Sequence, residues 1–332
     1  MYNALIIDDK LNLNEKLKKY YNLTNENYDL IFSFSNENIK EKYPYCMLTI
    51  FLKDINFEQS IGISLALKSN LTNIMKDDSF TLHDPIGCIW YIGNNLDKCL
   101  EIMKERLNFL QKITRQKTIS ISNKNLALNW YFDRFKVNMI ESNNNIEIES
   151  EKVFLDLLKE YSVKFTDLMH APLNIQKSPR LYRCCKGMPS IRKNNYIIVS
   201  AREVENEFIE QTDLVAVYKQ NNEIYYSGNK KPSVDTPIHL MLYDKLPNIN
   251  YIIHNHNYIK NAPFTKISIP CGAIEEADEV INTIETSYNS FELNQYIINE
   301  IGHGSIILGS TIKDLKNINF IKRPNPEIIK EV

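Results

Sequence analysis

The chain has 332 residues, 43% of them hydrophobic and 24% charged, with a formal net charge of -2. This is the composition of a globular chain with room for two domains, and it excludes a disordered one. The near balance of charge gives no electrostatic footprint for nucleic acid or an anionic membrane, so neither is expected as a partner.

The first ~130 residues read as alternating strands and helices, the pattern of an α/β layer. Apolar β-type runs at Ala4–Asp8, Tyr28–Phe34, Cys46–Leu52 and Cys88–Ile92 predict strands. Leu96–Ile113 carries apolar residues at 96, 100, 103, 107 and 110, a helical spacing. Residues 131–150 include the polar run ESNNNIEIESE and are expected to be a linker between a domain at 1–130 and a second at 151–332. The second half opens with a predicted helix, Glu151–Tyr161. Strands are expected at Asn195–Ser200, Leu214–Tyr218, Glu223–Tyr226, Tyr251–His254, Ile269–Cys271 and Ser305–Leu308. Asp235–Lys245 is expected as a helix with Ser233 as its cap, since proline is tolerated in a first turn. The fold expected for this half is α/β with an antiparallel-rich sheet.

Several signals are missing. The N-terminus lacks a basic stretch followed by an apolar one, so no secretory signal is expected. No apolar run reaches the roughly 18–20 residues a membrane span needs. Six cysteines show no CxxC spacing, which fits free thiols and a cytoplasmic protein. With nine glycines and no glycine-rich fingerprint, neither a dinucleotide site nor a phosphate-binding loop is indicated.

The chemistry concentrates on histidines. His254 and His256 follow the apolar run Tyr251-Ile252-Ile253, so they stand at or just past a strand end. Residues two apart on a strand face the same way, so both imidazoles can reach one ion. His303 lies between Gly302 and Gly304, where the backbone can come close to a site, and offers a third ligand. The plain alternatives are two surface histidines and a turn histidine. Asp235 opens a helix, where a carboxylate is favoured electrostatically whether or not it does chemistry. His239, one turn on, is read as a structural histidine.

The string Lys231-Pro232-Ser233-Val234-Asp235-Thr236-Pro237-Ile238-His239, then Leu242-Tyr243 and Ile253-His254-Asn255-His256, resembles the class II aldolase/adducin family. Gly302-His303-Gly304 resembles its third histidine, and Gly187-Met188-Pro189-Ser190-Ile191-Arg192 falls where the family has a glycine, a serine and an arginine. Aspartate at 235, with Ile269-Pro270-Cys271, is most similar to the ribulose-5-phosphate 4-epimerase branch. The stretch from His256 to Cys271 is shorter than in that branch, and its C-terminal tyrosine has no counterpart. The N-terminal domain resembles no family.

The resemblance implies an α/β/α domain with a largely antiparallel sheet, preceded by a separate α/β domain. It implies a divalent ion on His254, His256 and His303, with Zn2+ expected first and Mn2+, Co2+ or Fe2+ as alternatives. Asp235 would be a general base or fourth ligand, and Gly187, Ser200 and Ser233 would bind substrate. Met188 and Val234 replace an asparagine and a serine of the family's phosphate pocket. The implied function is a metal-dependent aldolase or epimerase acting on a sugar or sugar phosphate through a metal-stabilised enediolate, in a homo-oligomer, by resemblance a tetramer. An adducin-like binding or scaffold protein is the second reading and a metal-dependent hydrolase of another class the third.

Overall fold

The computed structural model describes residues 2–9, 12–26, 28, 30–33, 47–50, 72–76, 79–83, 89–113, 137–144, 146–149, 151–165, 187–202, 204, 206–228, 230–267, 269, 272–301 and 303–321. These fall into two compact units, one holding the described residues up to 113 and the other those from 137 onward.

In the first unit, β1 (Asn3–Ile7) pairs in parallel with β2 (Asn22–Leu23) and with β3 (Leu30–Ser33). β3 pairs in parallel with β4 (Met47–Ile50), which completes a four-stranded sheet of order β2-β1-β3-β4. Between β1 and β2 the short helix α1 (Asn14–Lys18) buries Leu17. A separate antiparallel meander follows: β5 (Thr72–Lys76), β6 (Ser79–His83) and β7 (Ile89–Gly93). The predicted helix is α2 (Leu96–Ile113). The Tyr21 hydroxyl donates to the Leu100 carbonyl at 3.3 Å, and its ring packs 5.2 Å from Phe32, tying α2 to the parallel sheet. Phe34, Cys46, Leu52 and Cys88, at the edges of predicted strands, lie outside the described residues.

The second unit is built on an eight-stranded sheet. Its strands are β8 (Met139–Glu141), β9 (Pro189–Arg192), β10 (Ile197–Ser200), β11 (Leu214–Gln220), β12 (Glu223–Ser227), β13 (Tyr251–Asn255), β15 (Gln295–Glu300) and β16 (Gly304–Gly309). The spatial order is β15-β16-β13-β9-β10-β11-β12-β8. The sheet is mixed: β8 runs parallel to β12, and the other neighbours run antiparallel. A two-residue strand, β14 (Tyr258–Ile259), pairs with β17 (Phe320–Ile321) beside it. The helices are α3 (Lys152–Phe165), α4 (Thr236–Lys245) and α5 (Glu275–Tyr288).

The runs IIV, YII and SIIL are apolar without alternation because both faces of the sheet are covered. Period-2 alternation sorts their residues between two cores. Ile197, Val199, Ile252, Ile306 and Leu308 face α4 and α5, packing with Ile238, Leu242, Val280 and Ile284. Ile198, Ile253 and Ile307 face the other way, onto Phe154, Leu158 and Tyr161 of α3. The result is an α/β/α layering with the sheet in the middle.

Three expectations need adjusting. The stretch expected as a linker contributes β8, an edge strand whose polar sequence hid it; Ser142 Oγ lies 2.7 Å from the Tyr218 hydroxyl, and the Ile146 amide donates to Ser227 Oγ at 2.9 Å. Ser233 does not cap α4. The residue at the N-cap is Asp235, whose side chain makes no capping hydrogen bond, and the Ser233 carbonyl instead accepts from the Thr236 amide and hydroxyl. Ile269 lies in no strand, and Pro270 and Cys271 are outside the described residues.

Candidate metal centre

The site lies where β13 runs out and where α4 and α5 begin. His254 is the fourth residue of β13 and points to the same side as Ile252, toward the two helices. Asn255 ends the strand: its Nδ2 donates to Ser305 Oγ at 2.9 Å, and its Oδ1 accepts from the Asn257 amide at 2.8 Å. That turn leaves His256 just past the strand. His303 sits in the turn from β15 to β16, its amide donating to the Glu300 carbonyl at 3.0 Å.

Two glycines permit the approach. A Cβ on Gly304 would fall 2.0 Å from the Asn255 carbonyl oxygen, and one on Gly187 would fall 2.0 Å from that of His254. Any side chain at either position would push the neighbouring backbone away from the histidines. Gly302 is outside the described residues.

One nitrogen from each of His254, His256 and His303 lies within 4.8 Å of the others. Ring centroids are 4.5 Å apart for His254 and His303, and 5.3 Å for each pair that includes His256. His254 and His303 are 3% and 7% exposed, and the Nε2 atom of each is buried with no hydrogen-bond partner among the described residues. Two buried imidazole nitrogens without partners are costly unless something binds them.

The sequence reading missed two residues here, Glu276 and Glu300. His254 Nδ1 lies 3.0 Å from Glu300 Oε2, and His303 Nδ1 lies 2.7 Å from Glu276 Oε1. With Nδ1–H donating to a carboxylate, each ring keeps its Nε2 lone pair for the site, the arrangement typical of metal-binding histidines. Glu276 stands in the first turn of α5 and Glu300 ends β15; they are 4% and 3% exposed. Burial, then the neighbouring Glu300 and Asp235, push the Glu276 carboxyl well above the usual carboxylate range. Burial also acts upward on Glu300, but contact with His254 outweighs it and holds that carboxyl below its ordinary value.

Asp235 is 7% exposed and close enough to Glu276 to raise it, so it stands at the same end of the sheet. His239 is structural, as the sequence suggested. Its Nδ1 lies 2.7 Å from Ser190 Oγ, which lies 2.9 Å from the Tyr243 hydroxyl, bolting α4 to β9. Burial, then nearby His254, lower the His239 imidazole well below its usual range, so it stays neutral. Gly187 sits directly against the His254 backbone. Ser200 and Ser233 are held to each other, the Ser233 amide donating to the Ser200 carbonyl at 3.3 Å. Met188 is fully buried and its sulfur accepts from the Thr236 hydroxyl at 3.4 Å, so its side chain belongs to the core.

A histidine cluster at the strand ends of an α/β/α layer, backed by carboxylates, defines a candidate metal-binding domain. Residues 178–317, in the C-terminal half of the chain, match the family model described as Class II Aldolase and Adducin N-terminal domain. Solved structures show weaker likenesses. One L-fuculose 1-phosphate aldolase is 14% identical, covering 55% of this chain and 97% of its own, with a TM-score of 0.34. The L-fuculose-1-phosphate aldolase from Thermus thermophilus is 13% identical, covering 48% and 78%, with a TM-score of 0.33. Likenesses at this level carry no argument about activity. Among the described residues, no helix is long and apolar enough to cross a membrane.

Proposed function

We propose that this chain is a divalent-metal-dependent lyase or epimerase that breaks, or breaks and remakes, a carbon–carbon bond of a sugar or sugar phosphate. The observation that carries the reading is the pair of buried Nε2 atoms on His254 and His303, set with His256 around one point. Three imidazoles suit a transition ion, and Zn2+ is the one we expect first. When bound, the ion supplies Lewis-acid stabilisation of negative charge developing on a substrate oxygen.

The remaining chemistry falls to the chain's own groups. Asp235, buried at the same end of the sheet as Glu276, is assigned as the general base that takes a hydroxyl proton, or as a further ligand. Gly187, Ser200 and Ser233 are assigned to substrate oxygens through backbone and hydroxyl donors. Neutral His239 and the Ser190 hydroxyl keep α4, and with it Asp235, in register with β9.

The test is elemental analysis of the purified protein beside a His254→Ala/His256→Ala variant. About one equivalent of transition metal, lost in the variant, followed by retro-aldol or epimerase turnover on a panel of sugar phosphates and hydroxy-ketones, is the expected result. A wild-type protein that stays metal-free after reconstitution would remove the enzyme reading and leave a binding role for the same fold.

A further inference from the structure

The eight-stranded sheet ends differently on its two sides. At β15 the outward peptide groups are met. The Ile297 amide donates to the Tyr288 hydroxyl at 3.1 Å, and that hydroxyl donates to the Ile297 carbonyl at 2.8 Å. The Asn299 amide donates to the Pro263 carbonyl, and the Asn299 carbonyl accepts from the Thr265 amide, both at 2.8 Å. At the other edge, the Ser142 amide donates to the Tyr226 carbonyl at 2.8 Å, so in this parallel pair Ile140 turns its amide and carbonyl to β12. Met139 and Glu141 therefore turn theirs outward, where no described residue bonds them. An edge left open in this way is a template for another strand.

The side chains along this edge define the strand that fits. Met139 packs on the core under α4 and α5, so Ile140 stands on the opposite face, where it is 39% exposed. Its register partner is Tyr225, whose partner on the next strand is Tyr218; the two rings stack 5.6 Å apart at 16°. None of the three is buried. They form an apolar row that crosses β11, β12 and β8 and stops at the open edge.

We propose that β8 pairs antiparallel with β8 of a second copy of this chain, joining two eight-stranded sheets across a twofold axis at Ile140. The register is self-complementary. Met139 of one copy meets Glu141 of the other and exchanges amide–carbonyl bonds with it, and the axis repeats the exchange. Ile140 meets itself, which carries the apolar row unbroken from one sheet to the next. Asn138 faces Ser142, so no like charges stand opposite each other. The interface is independent of the metal reading.

Two experiments on the whole chain test this. Sedimentation velocity over a wide range of concentration should show a reversible dimer. Glu141→Pro deletes only an outward N–H, which an edge strand tolerates. Its urea midpoint at low concentration should match the wild type, while the dimer dissociation constant rises about tenfold or more, because symmetry removes the bond twice. Ile140→Lys sets two ammonium groups face to face and should abolish the dimer. It also carries the test should Glu141→Pro fail to fold, since the site is exposed.

The second experiment reads the register. Ile140 and its copy would form a non-hydrogen-bonded pair, with Cα atoms about 4.5 Å apart, close enough for a disulfide. Ile140→Cys should cross-link into dimers on mild oxidation. Neither the wild type, with its six cysteines, nor Glu223→Cys, one strand inward, should do so to the same extent. A larger assembly that keeps the Ile140→Cys cross-link and splits in Glu141→Pro supports the proposal, with β8 as one of its contacts. A chain monomeric at every concentration, an assembly untouched by Glu141→Pro and Ile140→Lys, or Ile140→Cys cross-linking no better than Glu223→Cys would each overturn it.

Discussion

Asp235 occupies the position from which a carboxylate usually serves its own helix, yet α4 starts without its side chain. The residue is buried and near enough to the Glu276 carboxyl to raise it, and the proposed reaction assigns it proton transfer. Asp235→Asn keeps the shape and removes the basicity. We expect turnover to drop about 10²- to 10⁴-fold while metal content is kept, measured by steady-state kinetics with elemental analysis of the same sample. Loss of metal along with turnover would instead mark Asp235 as a ligand. The three histidines were legible in the sequence because only six occur in the chain and two are spaced by one residue after an apolar run. Glu276 and Glu300 were not. A glutamate in a helical first turn is ordinary, and one at a strand end has no local signature. Only the packing of α5 against β15 brings them to His254 and His303.

At the level of elements, the strands of the second unit were readable where they are buried on both faces and unreadable at the edges. β10, β13 and β16 announce themselves as unbroken apolar runs, whereas β8 is three residues with half-exposed or exposed side chains. The same layering makes neighbouring residues serve different cores. Ile252 faces α4 and α5 while Ile253 faces α3; Leu308, the cross-strand partner of Ile252, shares its core. Each truncation to alanine should cost about 2–5 kcal/mol. The Ile252→Ala/Leu308→Ala pair should deviate from additivity by about 0.5 kcal/mol or more, and Ile252→Ala/Ile253→Ala by less, in urea-unfolding double-mutant cycles. Equal coupling in both pairs would mean that the sheet does not separate the two cores energetically. In the first unit, the meander of β5 and β6 escaped the sequence reading because these strands carry polar residues between few apolar ones.

For the molecule as a whole, alkaline pH should act on the second unit through its buried phenols. Tyr161 joins α3 to the segment after β16 by donating to the Leu315 carbonyl. Burial pushes its phenol from 10.0 up to about 12, against a smaller downward pull from a backbone hydrogen bond. The folded value lies above the unfolded one, so this contribution to stability is complete below pH 10.0 and is lost as pH climbs through about 12. Urea midpoints should therefore fall across that window. The fall should be shallower in Tyr161→Phe, which starts lower by about 1 kcal/mol for the lost hydrogen bond. A Phe variant with the same slope as the wild type would assign the alkaline loss to other tyrosines, such as Tyr243, whose phenol burial also raises strongly.

His303 stands in the turn that joins β15 to β16, while His254 and His256 belong to the end of β13. An ion gripped by all three would work as a rivet, fastening a hairpin to a strand it already borders and closing a long chain loop with one inorganic link. The rivet would hold the end of the sheet that carries the three histidines, so chelation should soften that end first. Amide hydrogen exchange at the end of β13 and at the β15–β16 turn would rise before the α3 face responds. Catalytic readiness and local rigidity would then be the same event seen by two instruments.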